Sequence, residues 1–448
     1  MTGPRPSGAR GAIAVAALTL AAALAMPSID ASGATNAGAE ARDTARADVH
    51  NPRGKFLGVV PSRPDAPTRS APAAGQAATP HVMSPVTYHS GPVQHASFVY
   101  AIFWVPSGFP YPAGYGATVE QYFKDVAHDS YTAGNPYGVD TQYYDVVGGK
   151  KRWLSYAVVY KGAVVDTQPF PPNGCPNYLI NDGTMSRKCL TDAQIINKIK
   201  SVIATHHFPK GLAAQYFLFT PYSVASCFTA NGLTSGNCYD PLNYGGYCAY
   251  HSFSGSGSQV FLYAGMHYAD INGCSSGQSP QGNAADSVIN GISHEHQETM
   301  TDPIGTGWYD SGGNEISDKC LFMFGTPLGS NTFGQYNEVI NTRQYWLQQV
   351  WSQRAQSCVQ RNTYPQPTAS FNYSPASPAK GTAVSFHSTS LSGDGSALTY
   401  RWVWPNGTTT TGKNATFTFS GPGPRNVALI VADTHGDQAR IIRTVNVH

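Results

Sequence analysis

Eight cysteines confined to one stretch of the chain constrain it most: Cys175, Cys189, Cys227, Cys238, Cys248, Cys274, Cys320 and Cys358. An even count with no C-x-x-C spacing argues for disulfides rather than a thiolate zinc site or a redox motif. Pairing of sequence neighbours gives the expected set: Cys175 with Cys189, Cys227 with Cys238, Cys248 with Cys274, and Cys320 with Cys358. Such pairs need an oxidising compartment, and the N-terminus points to one. Arg5 and Arg10 precede an apolar run from Ala12 to Met26, followed by small residues near Ala31 and Ala34, which is the pattern of a signal peptide over 1–34. That run is too short and too rich in alanine for a good membrane span, so the expected product is secreted, with no span after signal removal.

A length of 448 residues predicts two or three domains. Lys+Arg 28 against Asp+Glu 26 leaves a formal charge of +2, a field that calls for neither nucleic acid nor an anionic membrane as primary partner. Residues 35–82 are dominated by Ala, Gly, Pro and Ser without periodicity and read as a linker or a propeptide. From residue 83 to 362 the pattern changes to a mixed α/β domain. Apolar, aromatic runs at 95–106, 153–165, 214–221 and 259–269 predict strands. Helical patterns fall at 117–129, at 191–207 with Thr191 and Gln194 as a capping box, and from about Ala284 through Met300. The clusters at 216–219 and 344–346 suit core packing better than sugar stacking.

Residues 363–448 carry short alternating strands with frequent turn signals after a Pro-rich hinge at 361–370, which predicts an all-β sandwich. The stretches 367–407 and 415–437, with Trp402 and Trp404 in a Y-x-W-x-W strand, resemble the PKD (polycystic kidney disease) family of immunoglobulin-like domains. The resemblance implies an extracellular spacer or adhesion module, and this segment holds no cysteine, so its hydrophobic core alone must hold it together.

The stretch that carries chemistry is G-I-S-H-E-H-Q-E-T-M-T-D-P at 291–303. His294 and Glu298 are four apart, which sets both on one helical face as two ligands to one metal. Glu295 follows the first ligand, where H-E-x-x-H enzymes hold the carboxylate that takes a proton from water. Glu298 replaces the second histidine, and carboxylate is a legitimate zinc ligand. A third ligand is expected from the acidic loop 307–320, which offers Asp310, Glu315 and Asp318. Residues 314–318 resemble the N-E-x-x-S-D stretch of thermolysin-like peptidases with one residue removed. That implies Glu315 as ligand and Asp318 as the carboxylate that orients a ligand histidine, while the shifted register leaves Asp318 open as the ligand itself. His251 is a further candidate that Cys248 holds near the core, and His296 is expected to face away, at the surface or in support.

The succession of 247–251, 292–303, 307–310, 314–320 and 335–352 resembles the Exordium family of phosphate-induced secreted plant proteins and their bacterial relatives. The resemblance implies a cell-wall or extracellular protein, and it singles out His251, His294, Glu295, Glu298, Glu315 and Asp318. The expectation is therefore a zincin-like, disulfide-supported α/β domain followed by a PKD sandwich. Its function is that of a zinc metallopeptidase acting on an extracellular protein, or else of a non-catalytic binder of cell-wall polysaccharide or matrix. No G-x-S-x-G elbow or glycine-rich phosphate loop offers another apparatus. Protein recovered from culture medium is expected to begin after about residue 30 and to show no free thiol by mass spectrometry. Eight titratable thiols in the native protein would contradict this.

Overall fold

The computed structural model describes residues 58–62, 84–175, 188–229, 238–241 and 246–448. The signal-peptide reading of 1–34 lies outside them. Six strands form the central sheet: β1 (Val59–Pro61), β2 (Ser97–Trp104), β3 (Val158–Asp166), β4 (Ala214–Phe219), β5 (Tyr247–Ser254) and β6 (Phe261–Met266). Their order is β1-β5-β6-β4-β2-β3. Strands β6, β4, β2 and β3 run parallel, whereas β5 is antiparallel to β6 and to β1. Of these, β2, β4 and β6 are buried on both faces and accordingly read as continuous apolar runs, whereas β3, at the edge, alternates between covered and exposed residues.

Three helices cover the sheet: α1 (Tyr115–His128), α2 (Asp192–His206) and α3 (Ala285–Thr301). The capping box predicted for α2 is formed, with Gln194 N donating to Thr191 Oγ1 at 3.3 Å and Thr191 N to Gln194 Oε1 at 2.9 Å. Side-chain alternation along the strands sorts the helices between the two faces. Phe217 of β4 meets Phe123 of α1 and His296 of α3. Tyr250 of β5 and Tyr263 of β6 point the other way and donate to Asp192 Oδ1 at the start of α2, at 2.7 and 2.8 Å. His251, next to Tyr250, is thereby aimed at α3.

Two expectations are corrected here. The run 153–165 is two elements, because Lys150–Trp153 closes a hairpin with Tyr144–Val147 before the chain enters β3. Of the segment read as linker or propeptide, residues 58–62 belong to the folded domain, since β1 pairs with β5. All four disulfides join the expected partners. Tyr216–Phe219, Tyr345 and Trp346 are buried, as core packing requires.

The C-terminal sandwich faces a three-stranded sheet against a four-stranded one. Its core gathers Phe371, Phe386, Trp402, Trp404, Leu429 and Val445. Trp402 and Trp404 stack at 5.9 Å between centroids, and their ring N–H groups donate to Gly412 O and Thr410 Oγ1. The hinge does not hold this sandwich apart. Val403 and Ile430 pack on Tyr131 and Ala157 of the first domain. Arg354 pairs with buried Asp437 at 2.6 Å, and Gln438 Nε2 donates to Leu154 O. Truncation after residue 362 bares Tyr131 and Ala157, so the remaining domain should stay folded but melt about 2–6 °C lower by circular dichroism. An unchanged melting curve would show that docking contributes no stability.

Candidate metal centre

Every residue of α3 is buried, although most of its second half is polar. Buried polar groups need partners, and several find them across the fold. Gln297 Nε2 donates back to Ser293, Gln215 Nε2 donates to Thr299 Oγ1, and Gln348 N donates to Asn290 Oδ1. His296 lies 2.9 Å from Ser97 Oγ and 3.1 Å from the Tyr137 hydroxyl. The expectation of a surface place for His296 is thus wrong. It is a fully buried bridge to β2, and burial pushes its pKa down to about 3.

The opposite side of α3 meets β5 and the loop after the helix, and there the partners run out. His294 Nε2 lies 3.1 Å from Glu298 Oε2 and 3.4 Å from Asp318 Oδ1. His251 Nδ1 lies 3.1 Å from Glu295 Oε2 and 3.8 Å from Glu298 Oε2, while its Nε2 is 3.8 Å from Glu315 Oε2. Glu298 is held by its other oxygen, which accepts from the Ser317 and Asp318 amides at 3.1 and 2.8 Å. Among the described residues, seven buried atoms here remain without a hydrogen-bond partner: His251 Nε2, both His294 nitrogens, Glu295 Oε1, Glu298 Oε2, Asp302 Oδ2 and Glu315 Oε1. Ligand atoms of His294, Glu298 and Asp318 lie within 4.8 Å of one another, as do those of His251, Glu295 and Glu298. Among the described residues, no lysine or arginine forms an ion pair with these carboxylates.

The electrostatics follow from that shortage. Burial, then the negative charge of Asp318, pushes Glu298 up to about 7 against the pull of His294. Burial likewise holds Glu295 and Glu315 well above the carboxylate range, with Glu298 adding repulsion in each case. Burial opposes charge on His294, but Glu298, Asp318 and Glu295 outweigh it and raise that imidazole. His251, desolvated and next to His294, falls to about 3. Imidazole nitrogens and carboxylate oxygens converging in a dry site suit a divalent cation such as zinc.

Of the residues singled out from sequence, His251, His294, Glu295, Glu298, Glu315 and Asp318 are all brought together. Asp310 is not: its carboxylate takes Lys319 at 3.1 Å and closes a turn with Asn314. Sequence reasoning missed two members. Asp302 is fully buried at the end of α3 and accepts from the Thr306 and Gly307 amides. Gly58 donates to Glu315 Oε2 at 2.7 Å, and the apolar run around it was the only signal that could have found it.

Residues 364–447 match the PKD domain family, and the chain therefore ends in a PKD domain. No curated protein matches the chain. A structure of carbohydrate-binding modules from the β-sandwich superfamily is 28% identical, covering 19% of this chain and 36% of that one, with a TM-score of 0.18. This chain thus spans about a third of that structure's length. The PKD1 domain of the Vibrio cholerae metalloprotease PrtV is 29% identical, over 18% of this chain and 96% of that one, with a TM-score of 0.16. OgpA from Akkermansia muciniphila is 11% identical, over 79% of this chain and 94% of that one, with a TM-score of 0.19.

Because His296 bridges Ser97 and Tyr137 away from the cluster, His296→Ala should cost about 2–4 kcal/mol in urea unfolding. Metal content should not change. Loss of metal without loss of stability would move His296 into the cluster.

Proposed function

We propose that the chain is a secreted zinc-dependent peptidase with a zincin-like domain related to the Exordium family, and with the PKD domain as an extracellular accessory. The observation that carries this reading is the convergence of two imidazoles and five carboxylates, Asp302 included, with no lysine or arginine among the described residues paired to balance them. Keeping several carboxylates and two imidazoles dry with some of their polar atoms unsatisfied would cost several kcal/mol, and a divalent cation would offset that cost.

His294, Glu298 and Asp318 would hold the ion, with His251 and Glu315 as further candidate ligands. When bound, zinc supplies Lewis-acid polarisation and acidifies water near it. The chain's own residues do the rest. Glu295 presents Oε1 free into the cluster while Oε2 is steadied by His251 Nδ1. Oε1 takes the proton from the attacking water and passes it to the leaving amine. The Ser317 and Asp318 amides fix the orientation of Glu298. An extracellular protein is the substrate class this chemistry serves.

The two roles separate in variants. Glu295→Gln removes the base but no ligand, so peptide hydrolysis should fall about 100- to 10,000-fold with metal content intact. His294→Ala should lose the metal and the activity together, measured by elemental analysis and a peptide-library assay. Native secreted protein that retains no stoichiometric metal and cleaves nothing in the library would overturn the peptidase reading in favour of a matrix-binding role.

A further inference from the structure

Strand β1 is the outermost strand of the sheet and spans only Val59–Pro61. It pairs antiparallel with β5, placing Val59 opposite Tyr250 and Val60 opposite Ala249. At one end Ser62 N donates to Gly246 O at 2.9 Å, and at the other His251 N donates to Gly58 O at 3.1 Å. The pairing therefore delivers Gly58 onto the cluster, where its amide donates to Glu315 Oε2. A Cβ at this position would lie 2.0 Å from His251 Nδ1 and 2.4 Å from Glu298 Oε2, with the backbone at φ +38°. Only glycine fits there. The strand is held by its pairing with β5, by the Gly58 amide and by the buried Val60 side chain; without it β5 would expose a row of unpaired amides and carbonyls, which is a template for an added strand.

We propose that the outer edge of β5 is a binding site for an extended peptide carrying glycine above His251 and Glu298, and that residues 58–61 fill it in the full-length chain. These residues then act as a built-in blocker: they lie along β5 as a substrate would and close the cluster to other peptides. The inference rests on the peptidase reading for its consequence, but peptide binding at the edge can be measured without hydrolysis. A peptide in the same register meets the same two side chains, so the edge selects glycine at that position by steric exclusion.

The test uses the full chain with the recognition sequence of a site-specific protease in place of residues 70–76. After cutting, the N-terminal piece is separated and folding is checked by circular dichroism. The probe is a fluorescent peptide of residues 54–63, followed by anisotropy, alongside the same peptide with Gly58→Ala. The cut chain should bind the glycine peptide, bind the alanine peptide at least about tenfold more weakly, and gain hydrolytic activity, whereas the uncut chain should bind neither. Gly58→Val in the uncut chain should dislodge β1 and open the edge without cutting. Glycine-peptide binding with no hydrolysis would uphold the site and sink the peptidase reading alone. The proposal is overturned if cut and uncut chains bind the peptide equally, if the folded cut chain does not bind it, or if glycine and alanine peptides bind alike. Unfolding on separation would also overturn it, because β1 would then be a structural member.

Discussion

The burial of several carboxylates around two imidazoles is the constraint on which the rest of the α/β domain depends. Glu295, Glu298, Glu315 and Asp302 are each at most 2% exposed, and His251 and His294 are fully buried. Such a cluster is unfavourable by itself, because desolvation penalises each charge and like charges repel. The fold withdraws it from water nonetheless. Helix α3 is enclosed along its whole length, the backbone amides of Ser317 and Asp318 are spent on Glu298, and Gly58 closes the remaining side. The arrangement makes physical sense when a cation completes it.

Several features hold the three segments of the cluster in register. The alternation of β5 turns Tyr250 toward Asp192 and so forces His251 toward α3. The bridge from Cys248 to Cys274 anchors β5 three residues before His251, and the bridge from Cys320 to Cys358 anchors the acidic loop two residues after Asp318. On the far side of α3, His296 fixes the rotation of the helix by reaching both Ser97 and Tyr137.

Much of this was legible before the structure. The spacing of His294 and Glu298, the Thr191–Gln194 capping box and the neighbour pairing of cysteines are local signals, and local signals survive in sequence. The convergence of Glu315 and Asp318 on the helix was anticipated from the acidic loop that follows it. What was not legible depends on distant partners. His296 was read as facing away from His294, at the surface or in support, because nothing in α3 reveals that Ser97 and Tyr137 wait across the core. The strand at Val59–Pro61 is three residues in a stretch whose composition argues against structure, and only β5 makes it a strand. The docking of the PKD domain through Val403 and Ile430 was hidden for the same reason, since a proline-rich hinge suggests separation while the contact is made by side chains far from it.

The central claim is that this buried cluster is a metal centre, and anomalous diffraction above and below the zinc edge tests it most directly on crystals of the full-length protein grown with zinc. The account predicts one strong peak bounded by His294, Glu298 and Asp318. A peak found only at the group of Asp394, Asp433 and His435 in the PKD domain, or none in the protein interior, would contradict it.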